Sequence, residues 1–276
     1  MTTNAGTTPP QGGAPFSRRR LLQWTGVAGA AAVVSACSKS AIPQPHASST
    51  PMVVPAPSSL EPVTAAAPVP APIPAPAPMT VAGEYLCRDS WGALAPLGTG
   101  QQHTISRMTI HHTAVVLGDN SNMIDRLQQH QRYHQNEKGW IDIAYHMAVD
   151  RNGNIFELRD WNIAGDTATT YEPYGHFLVV CEGNFDEEPI TEQQLDSAAL
   201  VFAWATQQFP AITGPVEGNQ QVAPGTSCPG ATLQARVTNG ELQRRIDFFR
   251  DSGPVDLQRI CGPQAIATVA AIEAGQ

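Results

Sequence analysis

From Ala67 to Pro78 every second residue is proline. Proline has no backbone N–H and a fixed φ, so such a run can enter neither the interior of a helix nor the middle of a sheet. The surrounding stretch, 38–83, is almost all Pro, Ala, Ser and Val. It buries little and favours polyproline II, rising about 3.1 Å per residue. At that rise roughly 45 residues reach about 100 Å or more, which suits a tether. A packed fold therefore has to be built from the residues that follow, 84–276.

The tether has something to hang from. Ser17-Arg18-Arg19-Arg20-Leu21-Leu22 is a twin-arginine-like start, followed by an apolar run from Trp24 to Val34 and then Val34-Ser35-Ala36-Cys37. Charged segment, apolar segment and small residues before a cut are the layout of an export signal. The apolar run is shorter than the about 20 residues a membrane-spanning helix needs. Small residues directly before Cys37 resemble a bacterial lipobox, whose cysteine becomes the lipidated first residue. The expectation is a Tat-type lipoprotein signal over 1–37, export to the cell envelope, and a lipid anchor at Cys37 in the outer face of the cytoplasmic membrane.

Outside the cytoplasm cysteines pair. Cys87 and Cys261 sit near the two ends of the folded region and are the candidate disulfide. Cys181, inside Phe177-Leu178-Val179-Val180-Cys181, reads as a buried strand residue, which leaves Cys228 needing a role. Removing residues 1–37 takes away three arginines and no acids, so the net charge of −8 becomes −11. That balance, without a basic or aromatic-interleaved patch, argues against nucleic acid. The chain is expected to act as a monomer.

The core is expected over 84–252, with a helical C-terminal appendage over 253–276. Met108 to His111 reads as a short strand, and Asp119 to His134 as a helix through Met123, Ile124, Leu127 and Tyr133. Ala144 to Val149 and Ile155 to Leu158 are strands joined by the Asn152-Gly153 turn. Phe177 to Cys181 suits a central buried strand. Thr191-Glu192-Gln193-Gln194 is a capping box that opens a helix to about Phe209. Further helical pattern lies at Glu241 to Phe249 and Gln264 to Ala274. Interleaved strands and helices predict an α/β fold, a sheet covered by helices.

Chemistry concentrates at three places. Ile110-His111-His112-Thr113 pairs histidines at a strand end, where neighbours face opposite sides and only one can enter a given site. Trp140-Ile141-Asp142-Ile143-Ala144-Tyr145-His146 brings a tyrosine and a histidine to another strand. Thr226-Ser227-Cys228-Pro229-Gly230 holds a cysteine on a rigid turn. His and Cys are both good zinc ligands, and catalytic zinc takes three protein ligands plus water. Add Arg88 to Ala93, Gly153 to Arg159 and Glu182-Gly183-Asn184-Phe185, and the ordered series resembles the peptidoglycan recognition protein and type 2 N-acetylmuramoyl-L-alanine amidase family, over about residues 86–236.

The resemblance implies a mixed central sheet flanked by helices, with a groove for peptidoglycan. It also implies a zinc amidase that cuts between N-acetylmuramic acid and L-alanine. Carried over position by position, it makes His111 the first metal ligand and Cys228 the last, and gives Tyr145 and Thr226 catalytic places. It puts His112, Trp140 and Asp166 among the substrate-binding residues.

The chain departs from the family where a Gly-His pair should precede Cys-Pro-Gly, because Gly218 is followed by Asn219. Asparagine offers a neutral carbonyl oxygen, a poor donor to a borderline-soft ion. The third ligand is left between Asn219 and a substitute carboxylate, Glu217 or Asp166. A further departure is Gly165-Asp166, where the family often has a histidine, and His176 fits a strand-start surface residue at least as well as a ligand. Because His111, Tyr145, Thr226 and Cys228 are retained together, the expectation is a zinc amidase with a substitute ligand; the alternatives are a peptidoglycan-binding module that has lost zinc, or a fold with a packed thiol that serves wall anchoring.

Overall fold

The computed structural model describes residues 80–276. The expected export signal, Cys37 and all but the last residues of the tether lie outside them. In chain order come β1 (Val81–Leu86), β2 (Arg107–His112), α1 (Met123–Asn136), β3 (Met147–Val149), β4 (Ile155–Glu157), β5 (His176–Cys181), α2 (Glu192–Gln208), β6 (Val216–Gly218), α3 (Asn219–Val222), α4 (Ala231–Thr238), α5 (Glu241–Ser252), β7 (Val255–Ile260) and α6 (Gly262–Glu273). The strands form one sheet in the order β6-β2-β5-β3-β4-β1-β7. All neighbours are parallel except β3 and β4, the Asn-Gly hairpin. This is the expected mixed sheet flanked by helices.

β5 is the buried centre. All six of its residues are inside, because β2 and β3 cover its edges and helices cover both faces. On one face Met108, Ile110, Phe177 and Val179 pack with Ala198, Ala199 and Phe202 of α2 and with Leu242 and Ile246 of α5. On the other, Ala148, Phe156 and Val180 pack with Met123 and Leu127 of α1 and with Ala265 and Val269 of α6. The capping box is formed: the Thr191 side chain accepts from Gln194 N–H and the Gln194 side chain returns the contact.

The ends differ from expectation. β1 begins at Val81, inside the stretch expected as tether, and the C-terminal segment expected to be only a helix contributes β7. That strand pairs with β1 along its whole length, from Val81↔Val255 to Leu86↔Ile260. Val255 and Leu257 are buried while Asp256 and Gln258 are exposed, so the tail belongs to the sheet. The expected Cys87–Cys261 disulfide closes this edge. The tail expected as a helical appendage thus adds an edge strand to the sheet before its helix.

Candidate functional site

The end of β2 aims its last two side chains at opposite faces, as the strand geometry requires. The His112 ring lies against Phe185, and its Nδ1 accepts from Phe185 N–H at 3.3 Å. His111 turns to the α1 face. There its Nδ1 stands 3.5 Å from Cys228 Sγ, and its Nε2 is 3.2 Å from the Tyr171 hydroxyl. The Tyr145 ring stands beside it, with centroids 5.1 Å apart.

The cysteine turn is tied to the same strand. His112 N–H donates to Cys228 Sγ at 3.4 Å, and Cys228 N–H donates to Thr226 Oγ1 at 3.2 Å. β6 runs beside β2 with Gly218 opposite Ile110, so the next residue, Asn219, emerges next to His111. Asn219 is buried, its side chain donates toward Cys228, and its Oδ1 has no hydrogen-bond partner. The structure therefore puts Asn219 beside the two donors expected at its neighbours' places.

Burial sets the charge of the pair. It lowers His111 to about 3, with His112 and His176 adding to the effect, so the imidazole is neutral at pH 7. It pushes the Cys228 thiol up to about 11, against the pull of His112 N–H and the Asn219 side chain. Burial likewise raises Tyr145, and the nearby Cys228 sulfur adds to it. Without another cation the centre is a neutral thiol and a neutral imidazole.

Neither expected substitute carboxylate completes the centre. The Asp166 carboxylate is held 2.5 Å from Arg159, whose guanidinium also serves the carbonyls of Asp142, Ile143 and Ala164. Glu217 sits on β6 opposite Thr109, two residues short of His111, and is absent from the cavity wall. Among the described residues no three His, Cys, Asp or Glu side chains converge closely enough to hold a metal ion. His176 is not a surface residue: it is buried at the start of β5 with Nδ1 2.7 Å from Thr109 Oγ1.

The centre opens into a cavity of about 280 Å³ whose wall includes His111, Tyr145, Asn219, Thr226 and Cys228, together with Trp140 and Asp166. It extends both ways. Trp140, Asp166, Thr167 and Thr169 are shared with a 470 Å³ cavity, and Thr113, Tyr133, His134 and Tyr145 with one of 420 Å³. The result is a cleft with the His111–Cys228 pair at its middle. Two wall residues were not singled out in the sequence. Tyr171 lies in an irregular loop without periodicity. His134 looks like part of α1's polar face, yet its Nδ1 accepts from Ala144 N–H at 3.2 Å, which leaves the other nitrogen as donor.

A family model described as N-acetylmuramoyl-L-alanine amidase matches residues 101–231. Peptidoglycan recognition protein 1 of Mus musculus is 30% identical over 164 residues, 57% of this chain and 87% of the relative. Peptidoglycan-recognition protein SC2 of Drosophila melanogaster is 28% identical over 151 residues, 54% of this chain and 81% of the relative. Among solved structures, a Drosophila PGRP-LB mutant in complex with tracheal cytotoxin is similar with a TM-score of 0.50 and 26% identity, covering 55% of this chain and 92% of that one.

Proposed function

The chain belongs to the peptidoglycan recognition protein and type 2 N-acetylmuramoyl-L-alanine amidase family, and from that membership we propose that it binds peptidoglycan in the cleft around His111 and Cys228 without a catalytic zinc ion. One observation carries the second half: the residue beside the histidine–cysteine pair is Asn219. A catalytic zinc takes three protein ligands, and a neutral amide oxygen is a weak donor where the family has imidazole. The residues present do not fit the ion.

Binding does not need the metal. The cleft offers an aromatic wall at Trp140, Tyr145 and Tyr171, a fixed donor at His134 and hydroxyls at Thr167 and Thr169. Sugars and peptides, rich in amides and hydroxyls, are recognised by a few placed polar groups over an apolar floor. A relative of this fold is described in complex with tracheal cytotoxin, which supports a wall fragment as the ligand.

A second reading, the zinc amidase that cuts between N-acetylmuramic acid and L-alanine, has its own observation. His111 Nδ1 and Cys228 Sγ are 3.5 Å apart. Two donors bound tetrahedrally at about 2.0 and 2.3 Å to one zinc would have that spacing. One experiment separates the two: the full chain is incubated with peptidoglycan, and co-sedimentation, bound zinc and new L-alanine amino termini are measured. Binding with sub-stoichiometric zinc and no new termini is expected. Stoichiometric zinc with release of stem peptides would establish the amidase instead.

The proposal includes its location, the outer face of the cytoplasmic membrane, with the chain anchored at Cys37. The Cys87–Cys261 pairing supports an oxidising compartment. Cys37→Ser should move the protein from the membrane fraction to the soluble one; no movement would discard the anchor.

A further inference from the structure

The arm of the cleft on the α1 side holds charges that the proposed function does not use. Glu182 follows β5 and continues its alternation, so its side chain enters between the sheet and α1, where it is fully buried. Neither carboxylate oxygen has a hydrogen-bond partner. His130 of α1 is nearest, its Nδ1 3.2 Å from Glu182 Oε1 but off the hydrogen-bonding direction. One turn earlier on the helix stands Arg126. Its Nε is buried without a partner, and its guanidinium is in no ion pair among the described residues.

Arg126 and His130 both line the 420 Å³ cavity, with Gln129 between them and Thr113 and Tyr145 at the junction with the centre. The i, i+4 spacing puts the guanidinium and the imidazole on one wall. The His130 ring stands between the buried Glu182 carboxylate and the cavity. Arg126 makes the wall facing the cavity cationic, in a chain that carries −11 once residues 1–37 are set aside. Arg159, the other arginine of the cleft, is not free to do this work, being held by Asp166 and three carbonyls.

We propose that this arm is a carboxylate-binding subsite in which Arg126 and His130, backed by Glu182, hold an acidic group of a peptidoglycan fragment. The inference rests on the peptidoglycan reading and deepens it. Guanidinium and carboxylate match in fork geometry, and charge-assisted bonds of this kind are about twice as strong as neutral ones. Two parts of the wall polymer carry the chemistry: the lactyl carboxylate of muramic acid without a peptide, and the free acids of the stem peptide.

Calorimetric titration of the full chain would use a peptide-free oligomer of alternating N-acetylglucosamine and N-acetylmuramic acid, the same oligomer with its lactyl carboxylates converted to amides, and the free stem tetrapeptide. Arg126→Gln should weaken the carboxylate-bearing ligand by roughly tenfold or more. It should leave the amidated oligomer unchanged, and Arg126→Lys should recover part of the loss. Loss confined to the oligomer assigns the lactyl group; loss confined to the tetrapeptide assigns the stem. If Arg126→Gln keeps the wild-type melting temperature and binds every ligand as before, the subsite is wrong while peptidoglycan binding stands. If the wild-type chain neither binds these ligands nor co-sediments with peptidoglycan, the functional reading itself falls.

Discussion

Replacing Asn219 by histidine puts an imidazole beside a donor pair that already has a metal's spacing. His111 Nδ1 and Cys228 Sγ are 3.5 Å apart, and the Asn219 side chain faces the sulfur from the first turn of α3. The residue is buried but borders the 280 Å³ cavity, so a larger ring has room to turn. An ion that binds only the folded chain stabilises it by RT ln(1 + [L]/Kd), about 2.7 kcal/mol when free zinc is about 100 times Kd. For a folded region of this size that is a rise of roughly 5–10 °C in melting temperature. Scanning calorimetry of wild type and Asn219→His, each with and without zinc, measures it. The variant should gain the shift, the wild type should gain little, and Cys228→Ala in the variant should abolish it. Equal shifts in wild type and variant would refute the argument, since Asn219 would then not be what keeps zinc out.

Three other outcomes are expected. Cys228→Ala should leave co-sedimentation with peptidoglycan intact, because most of the cleft's wall is formed by other residues; loss of binding would make the thiol a contact. Cys261→Ser should lower the unfolding free energy by about 3 to 5 kcal/mol, read from denaturant midpoints, since the disulfide closes 174 residues and holds β7 to the edge. His146 is lowered to about 3 by burial, its Nδ1 accepting from Leu178 N–H while Nε2 donates to Ile163 O. The unfolded chain therefore takes that proton first, and stability should fall as pH drops from about 6.5 toward 3, by about 1.4 kcal/mol per unit for this one group. His146→Gln should flatten that slope; an unchanged slope would mean the ring is not neutral in the fold.

What was legible in the sequence was whatever its own neighbours determine. The Asn152-Gly153 turn, the Thr191 capping box and the unbroken apolar run of β5 each declare themselves within a few residues, and all three formed. β7 carried a readable alternation, with Val255 and Leu257 inside and Asp256 and Gln258 outside. Its role was hidden because its strand partner, β1, lies at the far end of the folded region. β6 is three residues long, too short for any period to show.

The centre followed the same rule. His111, Tyr145 and Cys228 were found because their residue types fit one chemistry in one order, and the two-sided strand correctly gave only one histidine to the centre. Tyr171 reaches His111 from an irregular loop, where no pattern marks it. Glu182 ends an apolar strand and His130 sits in a polar helical stretch. Either reads as surface until the packing of β5 against α1 shows the carboxylate sealed.

Those late findings bear on the early one. Buried polar atoms without partners are few in native proteins, because each costs about 1–3 kcal/mol. Of seven such atoms among the described residues, Asn219 Oδ1, His112 Nε2 and Arg126 Nε belong to residues that line the cleft and the two Glu182 oxygens lie behind it, while those of Arg151 and Gln234 lie outside it. An ageing active site that had merely lost its ligand residue would leave a single gap at Asn219. Arg126 Nε in the far arm is unpaired as well, and a zinc ion at His111 and Cys228 would not reach that side chain. A polar, acidic wall fragment lying across the centre would reach both Asn219 and Arg126, which is why recognition is the reading these residues support better than catalysis.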